Sequence, residues 1–217
     1  MSERGRTISK LLSGLLAGGL LVAVAVLVLS TTAPPVRAWL TPCDFLTGGG
    51  WIVPFGANAN FGVGGGCKNG SGTNGVPYWG HLEYLDHATG LNVHATSITY
   101  YVPDGENGTD PKTGQPTGIR HICGTASTNL YGDVYFHVRA NDAGEPGVND
   151  QFDIRLKHCT SLGCDPFYLY DTTAQCFPHY LGSSACMSAG NGGGGNIQLH
   201  KPNPSTTAVF GGSCPQW

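Results

Sequence analysis

The chain has 217 residues and a formal net charge of −3, and its composition includes 34 glycines and eight cysteines. Four of the 11 basic residues and one of the 14 acidic residues lie in the first 38 positions, so the remaining seven basic and 13 acidic residues give a net charge of −6. Nucleic acids and anionic membrane surfaces are bound through basic patches, so this charge argues against both partners.

The N-terminal segment has the three parts of a secretory signal peptide. A basic stretch over 4–10 precedes an apolar run over 11–29, and Val36 and Ala38 occupy the −3 and −1 positions of a cleavage site. The pattern predicts a signal peptide over 1–38 and a secreted or cell-surface protein. The apolar run is also long enough for an uncleaved membrane anchor, which would attach the protein to a membrane only through this leader.

After a lead-in over 39–47, the sequence predicts one β-domain over 48–201. Trp51 is expected in its core, and residues 64–79 have the Gly, Asn and Ser content of a loop. Short β-prone pieces bounded by turn residues occur at 51–53, 60–63, 80–86 and 119–126.

The longest β-prone run covers 91–102 and changes phase in the middle. Its apolar positions switch from odd to even numbers, which predicts a β-bulge near Thr96 and Ser97. Residues 103–118 contain many turn-forming residues and no apolar anchor, so we expect an exposed loop there.

A long hairpin is predicted over 134–156, where two alternating apolar and polar segments flank a turn-rich loop. Side-chain parity leaves two registers, because either Val138 or Phe136 can lie opposite Ile154. We favour the first register because it places Arg139 opposite Asp153, an ion pair that contributes about 0–1 kcal/mol when exposed. The second places Arg139 opposite Gln151.

The loop of this hairpin is the candidate cation site. Clustered carboxylate and amide oxygens on a glycine-rich turn suit Ca²⁺, which takes about 6–8 oxygen ligands, although the spacing does not match an EF-hand. The alternative is that these side chains cap turns by accepting hydrogen bonds from nearby backbone. The candidate calcium ligands are Asp142, Glu145, Asn149, Asp150 and Asp153.

The cysteines predict a disulfide framework, because their number is even and all follow the leader. Four of them lie in an excursion over 158–195, where strand patterning fades before a last strand at 196–201 and a C-terminal tail at 202–217. The pairings proposed first are Cys159–Cys164 or Cys164–Cys176 in the excursion and Cys43–Cys214 between the ends. The eight are Cys43, Cys67, Cys123, Cys159, Cys164, Cys176, Cys186 and Cys214.

Many short strands and no helical pattern of usual length after the leader predict an all-β fold. We expect a disulfide-stabilised antiparallel β-sandwich or flattened barrel.

Several motifs together resemble the post-COAP-1 type of domain found in exported bacterial proteins. The resemblance implies a β-rich extracellular or surface-associated accessory module and no catalytic residues. The cysteine content and the length of the excursion depart from that pattern. The motifs are GGGWI at 48–52, NFG at 60–62, GHLEY at 80–84, LNVHATSI at 91–98, NDQFDIRL at 149–156 and NIQLH at 196–200.

No zinc-protease motif or nucleophile elbow occurs in the sequence, so we expect a non-catalytic module with a structural, adhesive or matrix-interaction role. One alternative is a carbohydrate-binding module, with or without calcium, and another is an extracellular hydrolase whose site is assembled from distant strands. The expected partner is an extracellular protein or glycan. The candidate ligand-binding aromatics are Trp79, Tyr78, Tyr100 and Tyr101.

Overall fold

The structure, a computed structural model, describes residues 43–68, 77–185, 187–189, 193–204 and 206–214. The predicted signal peptide over 1–38 and the side chain of Cys186 lie outside these residues. Within the described part, no helix is long and apolar enough to cross a membrane.

The described residues form strands and one 3₁₀-helix, Thr172–Ala174, which confirms the all-β prediction. In chain order the strands are β1 (Phe45–Ile52), β2 (Ala59–Cys67), β3 (Tyr78–Asp86), β4 (Leu91–Thr109), β5 (Pro116–Thr128), β6 (Gly132–Asp142), β7 (Gln151–Lys157), β8 (Cys159–Thr160), β9 (Gly163–Cys164), β10 (Tyr170–Asp171), β11 (Gly195–His200) and β12 (Gly211–Gly212).

Ten strands form one antiparallel sheet that curls into a half-barrel. Its order is β10-β7-β6-β5-β4-β3-β2-β1-β11, with β12 paired to β4, while β8 and β9 form a separate small hairpin. Neighbours in the chain are mostly neighbours in the sheet, because short connections between antiparallel strands make adjacent pairing the simplest topology.

The core fills the concave side of this curled sheet. Phe61 of β2 and Phe152 of β7 are far apart in strand order, yet their rings stack with centroids 3.8 Å apart. Tyr84 of β3 lies 6.1 Å from the same Phe152 ring. Each fully buried phenylalanine contributes about 1.5–3 kcal/mol, so these contacts stabilise the curl of the sheet as well as the individual strands.

The favoured register of the β6–β7 hairpin is confirmed. Val138 lies opposite Ile154 and Arg139 lies opposite Asp153. The inward side chains on both strands are buried, so a shift of the register would move apolar groups away from their partners.

The predicted irregularity of the long strand is also confirmed, because the β4–β5 pairing shifts between Ala95 and Ser97. The exposed loop predicted at 103–118 is wrong for most of its length. Strand β4 continues to Thr109 and β5 begins at Pro116, so this polar stretch is a paired hairpin end. Its residues lack an apolar pattern because this end is largely exposed, and backbone pairing needs no apolar side chain.

The loop predicted at 64–79 is wrong at both of its ends, and 69–76 lie outside the described residues. Strand β2 continues through its glycines to Cys67, and β3 begins at Tyr78. The glycines continue the strand because neighbouring atoms fill the space of a side chain: a Cβ on Gly65 would lie 2.9 Å from Ile122 Cδ1.

Three disulfides are described: Cys43–Cys67, Cys123–Cys214 and Cys159–Cys164. The last confirms one of the two pairings proposed for the excursion and excludes Cys164–Cys176. The pairing Cys43–Cys214 is wrong, because β1 lies beside β2 whereas the C-terminal segment lies beside β4. Cys176 is also disulfide-bonded. Such a framework is typical of oxidising compartments outside the cytosol.

The C-terminal segment packs as part of the sheet domain. In β12, Gly211 pairs with Tyr101 and Gly212 pairs with Tyr100. Phe210 packs against the core, and its ring stacks on that of Tyr101 at 5.9 Å. The folded domain therefore extends beyond the boundary predicted at residue 201.

Candidate functional site

The loop assigned to calcium by sequence closes the half-barrel in the structure. Asp142 Oδ2 accepts the N–H of Leu199 at 2.7 Å, and Asp150 Oδ2 accepts the N–H of Ile197 at 2.7 Å. Both donors belong to β11, the last strand of the sheet. No further strand among the described residues pairs with the outer edge of β11, so the two carboxylates accept hydrogen bonds from N–H groups that would otherwise lack a partner.

The second oxygen of each carboxylate is also engaged, by Gly144 N at 2.7 Å for Asp142 and by Ala143 N at 2.9 Å for Asp150. Burial raises the pKa of both groups and raises that of Asp150 to about 6, because the charged form loses its hydration. The neighbouring acids contribute in the same direction. Backbone N–H groups thus donate to all four oxygens of the two carboxylates, as the turn-capping alternative predicts.

The other three candidate ligands have different surroundings. Glu145 Oε1 accepts from Asn196 Nδ2 at 3.1 Å, and Asn149 is exposed. Asp153 lies on the outer face of β7, where His179 Nδ1 donates to its Oδ1 at 2.9 Å. The described residues contain no group of three or more His, Cys, Asp or Glu side chains that could hold a metal ion. Calcium binding stays a prediction.

Two tryptophans lie on the outer, convex face of the sheet. Trp79 of β3 is 37% exposed and lies 6.0 Å from the ring of Phe45, which stacks on His200 at 4.5 Å. Trp51 of β1 is half-buried on the same face, between the inward-facing residues that flank it. The expectation that Trp51 belongs to the core is wrong, because the side-chain alternation of β1 directs Ile52 inward instead.

The other aromatic candidates do not present a surface. Ligand binding by these aromatics needs exposed rings, but Tyr78 is 8% exposed and Tyr101 is fully buried. Both face inward by strand alternation, and the Tyr101 hydroxyl donates to Asp44 Oδ1 at 3.0 Å. Tyr100 is half-buried beside the paired strand β12. Trp79 is the member of the set that lies open to solvent.

A shallow trough of about 560 Å³ runs along this outer face beside Trp51. Its floor crosses β1, β2 and β3, where Gly49 pairs with Gly62 and Gly62 pairs with Glu83. We call it the outer trough. Its lining residues are Gly50, Trp51, Asn60, Phe61, Gly62, Glu83, Tyr84, Leu85, Asn92, Gly193, Gly194 and Gly195.

Trp79 lies on the same face as the outer trough but at the other end of the strands. Phe45, Gly66 and Trp79 form one cross-strand row, and the row that begins at Trp51 lies six residues further along β1. At about 3.3 Å per strand residue, the two rows are about 20 Å apart. A depression of about 620 Å³ adjoins Trp79.

A second, smaller cleft of about 170 Å³ lies on the outer face of β5, β6 and β7, beneath part of the cysteine-rich excursion. His121 Nδ1 lies 2.7 Å from His137 Nε2, and His121 Nε2 lies 3.3 Å from Asp104 Oδ2. The cleft is lined by Asp104, His121, His137, Arg139, Asp153, Arg155, Thr173 and Phe177.

The charges of this polar cleft are paired or neutral. Arg139 Nη1 lies 3.6 Å from Asp153 Oδ2, and Arg155 Nε lies 3.3 Å from Asp171 Oδ1. Burial lowers the pKa of His121 and lowers that of His137 to about 3, so both imidazoles are neutral at physiological pH. Asp153 Oδ2 has no hydrogen bond from any described residue, which leaves a buried acceptor facing the cleft.

Comparisons with protein-family models, with curated proteins and with solved structures find no match. The resemblance to the post-COAP-1 type of domain therefore remains an expectation drawn from the motifs. A proposal about function has to rest on the two sites described above.

Sequence reasoning missed the polar cleft and the outer trough. The favoured hairpin register already places His137 opposite Arg155 on the outer face, next to the Arg139–Asp153 pair. That adjacency was a usable signal for the cleft. The trough carried no such signal, because it depends on the pairing of β1, β2 and β3 and on the absence of side chains at glycines.

Proposed function

We propose that this protein is a non-catalytic extracellular β-module with an adhesive or matrix-interaction role, and that it binds glycan through the outer face of β1, β2 and β3. The observation that supports this most directly is the presence of Trp79 and Trp51 on one face, about 20 Å apart, with a glycine-floored surface between them. The disulfides and the predicted signal peptide support the extracellular location.

The chemistry of this face suits sugars. A flat indole presents an apolar surface with one N–H donor, which matches the apolar ring face and polar rim of a pyranose. The exposed amides of Asn60 and Asn92 beside Trp51 can donate and accept hydrogen bonds with hydroxyl groups. An extended ligand would contact both tryptophans across the face.

The test is glycan binding by the folded domain, measured on a glycan array and by affinity electrophoresis. Trp79→Ala and Trp51→Ala should each weaken binding at least about ten-fold, which is 1.4 kcal/mol. Tyr131→Ala is the matched control, because Tyr131 is also 37% exposed but lies in the β5–β6 turn. A wild-type domain that binds no glycan, or equal effects of all three variants, would refute the proposal.

The polar cleft supports a second candidate function, an extracellular hydrolase. His121 is neutral, contacts His137 and is oriented by Asp104, so its imidazole could accept a proton as a general base. The Thr173 hydroxyl lines the same cleft, but it is engaged with Asp171 and Arg155. Hydrolysis of chromogenic ester, glycoside or peptide substrates that is lost in His121→Gln would favour this candidate, and an inactive wild type would exclude it for those substrates.

A further inference from the structure

Most glycines of the outer face are required by packing. A Cβ on Gly66 would lie 2.6 Å from Phe45 Cβ, and one on Gly49 would lie 3.3 Å from the carbonyl oxygen of Phe61. One on Gly64 would lie 3.2 Å from the ring of His81. A side chain at Gly66 would force a neighbour to shift, and one at Gly49 or Gly64 would be tightly packed, so packing accounts for these glycines.

Gly62 is different. Among the described residues, the nearest atom to a Cβ built there is Nε2 of the exposed His81, at 4.0 Å, and the backbone of Gly62 is not in the left-handed region. A Cβ would therefore fit there without a clash or backbone strain. Glycine within a strand costs about 0.5–1 kcal/mol relative to alanine, and in strands it often marks close approach of a ligand. Gly62 lies on the floor of the outer trough.

The charge of the trough restricts what can approach Gly62. Glu83 is the one charged residue among the described lining residues, and its carboxylate contacts Nδ1 of His94. The described lining contains no lysine or arginine, so a polyanion such as a uronic acid polymer or a sulfated glycan finds no cationic partner there. A polycation would find only one acidic side chain among these residues, that of Glu83, which already contacts His94.

We propose that the outer trough binds a neutral polysaccharide chain, with a sugar ring resting directly on Gly62 beside Trp51. This deepens the proposed function, on which it rests, by assigning the ligand its charge class and by naming the residue that keeps the floor open. Lys68 lines the depression beside Trp79 and is not among the residues that line the outer trough.

The decisive variant is Gly62→Val, which adds branched bulk to the floor and a residue type favoured in strands. We expect its thermal unfolding temperature to equal or exceed that of the wild type, and its affinity for the bound polysaccharide to fall at least about ten-fold. Ser127→Val is the matched control, because it adds similar bulk on β5, outside the trough, and should leave affinity unchanged.

The probes are soluble neutral glucans, mannans and xylans, compared with polygalacturonate, alginate and heparin, each by affinity electrophoresis and calorimetry. Binding to neutral polymers alone is the expected result. Preference for an acidic polymer, full affinity in Gly62→Val, or an unfolded Gly62→Val would each overturn this inference. Those outcomes leave the proposed function intact if Trp79→Ala still weakens binding at least about ten-fold, whereas no binding to any glycan would refute both.

Discussion

Arg120 offers the sharpest test of how the half-barrel is stabilised. Its side chain is fully buried on the concave side of β5, and its guanidinium contacts the carboxylate of Asp44, with Nε 3.0 Å from Oδ1. The Tyr101 hydroxyl also donates to this carboxylate, and the same burial raises the Tyr101 pKa well above its ordinary value. The substitution Arg120→Met removes the cation while keeping an unbranched apolar side chain.

This substitution should cost about 3–5 kcal/mol, because it leaves a buried carboxylate without its counter-charge. Adding Asp44→Asn should recover more than half of that loss, since the amide carries no charge and can still accept from Tyr101. Arg155→Met is the control. The Arg155–Asp171 pair is partly exposed, so its loss should cost about 0–1 kcal/mol.

The measurement is the free energy of unfolding in urea, followed by tryptophan fluorescence with the disulfides intact. A loss below about 1 kcal/mol, or one equal to that of Arg155→Met, would refute the view that this buried pair holds the strands together.

The remaining predictions concern acid stability and the disulfides. Asp150 has a folded-state pKa of about 6 against 3.8 in the unfolded state, so its protonation stabilises the fold below pH 3.8, and this contribution is lost as pH rises through 6. Asp150→Asn removes that contribution, so stability should fall more steeply between pH 6 and pH 4, by up to about 1.4 kcal/mol per pH unit. His137, with a folded pKa of about 3 against 6.5, acts in the opposite sense, so His137→Gln should flatten that loss; unchanged slopes in both variants would contradict the assigned shifts. Replacing Cys123 and Cys214 by serines should lower the free energy of unfolding by about 4–5 kcal/mol, because this disulfide closes a long loop and so restricts the unfolded chain strongly. Replacing Cys159 and Cys164, which close a short loop, should lower it by about 2 kcal/mol, and equal losses measured by calorimetry would contradict this reasoning.

Local patterns in the sequence predicted local structure well. The alternation over 134–156 limited the β6–β7 hairpin to two registers, and the one favoured for its Arg139–Asp153 pair is confirmed. The phase change near Ser97 predicted the bulge, because a strand keeps its apolar face inward only by adding a residue. Cys159–Cys164 was predictable because the two cysteines are close in sequence.

Predictions that needed distant partners failed or stayed undecided. Trp51 was predicted in the core from its residue type. In the structure Ile52 faces inward, so strand alternation directs Trp51 outward. The Cys43 pairing depended on which strand lies beside β1. Asp142 and Asp150 look like metal ligands in the sequence, and only the approach of β11 shows that their oxygens bind backbone N–H groups.

Strand alternation, turn residues and cysteine content predicted an all-β antiparallel fold with disulfides and limited the central hairpin to two registers, because these are short-range properties of the chain. The tertiary structure alone decided the order of the strands, the curl of the sheet and the two surface sites. These features arise where segments far apart in the chain meet. At those places the glycines of β1 and β2 allow neighbouring atoms to approach the backbone closely, because they have no side chain.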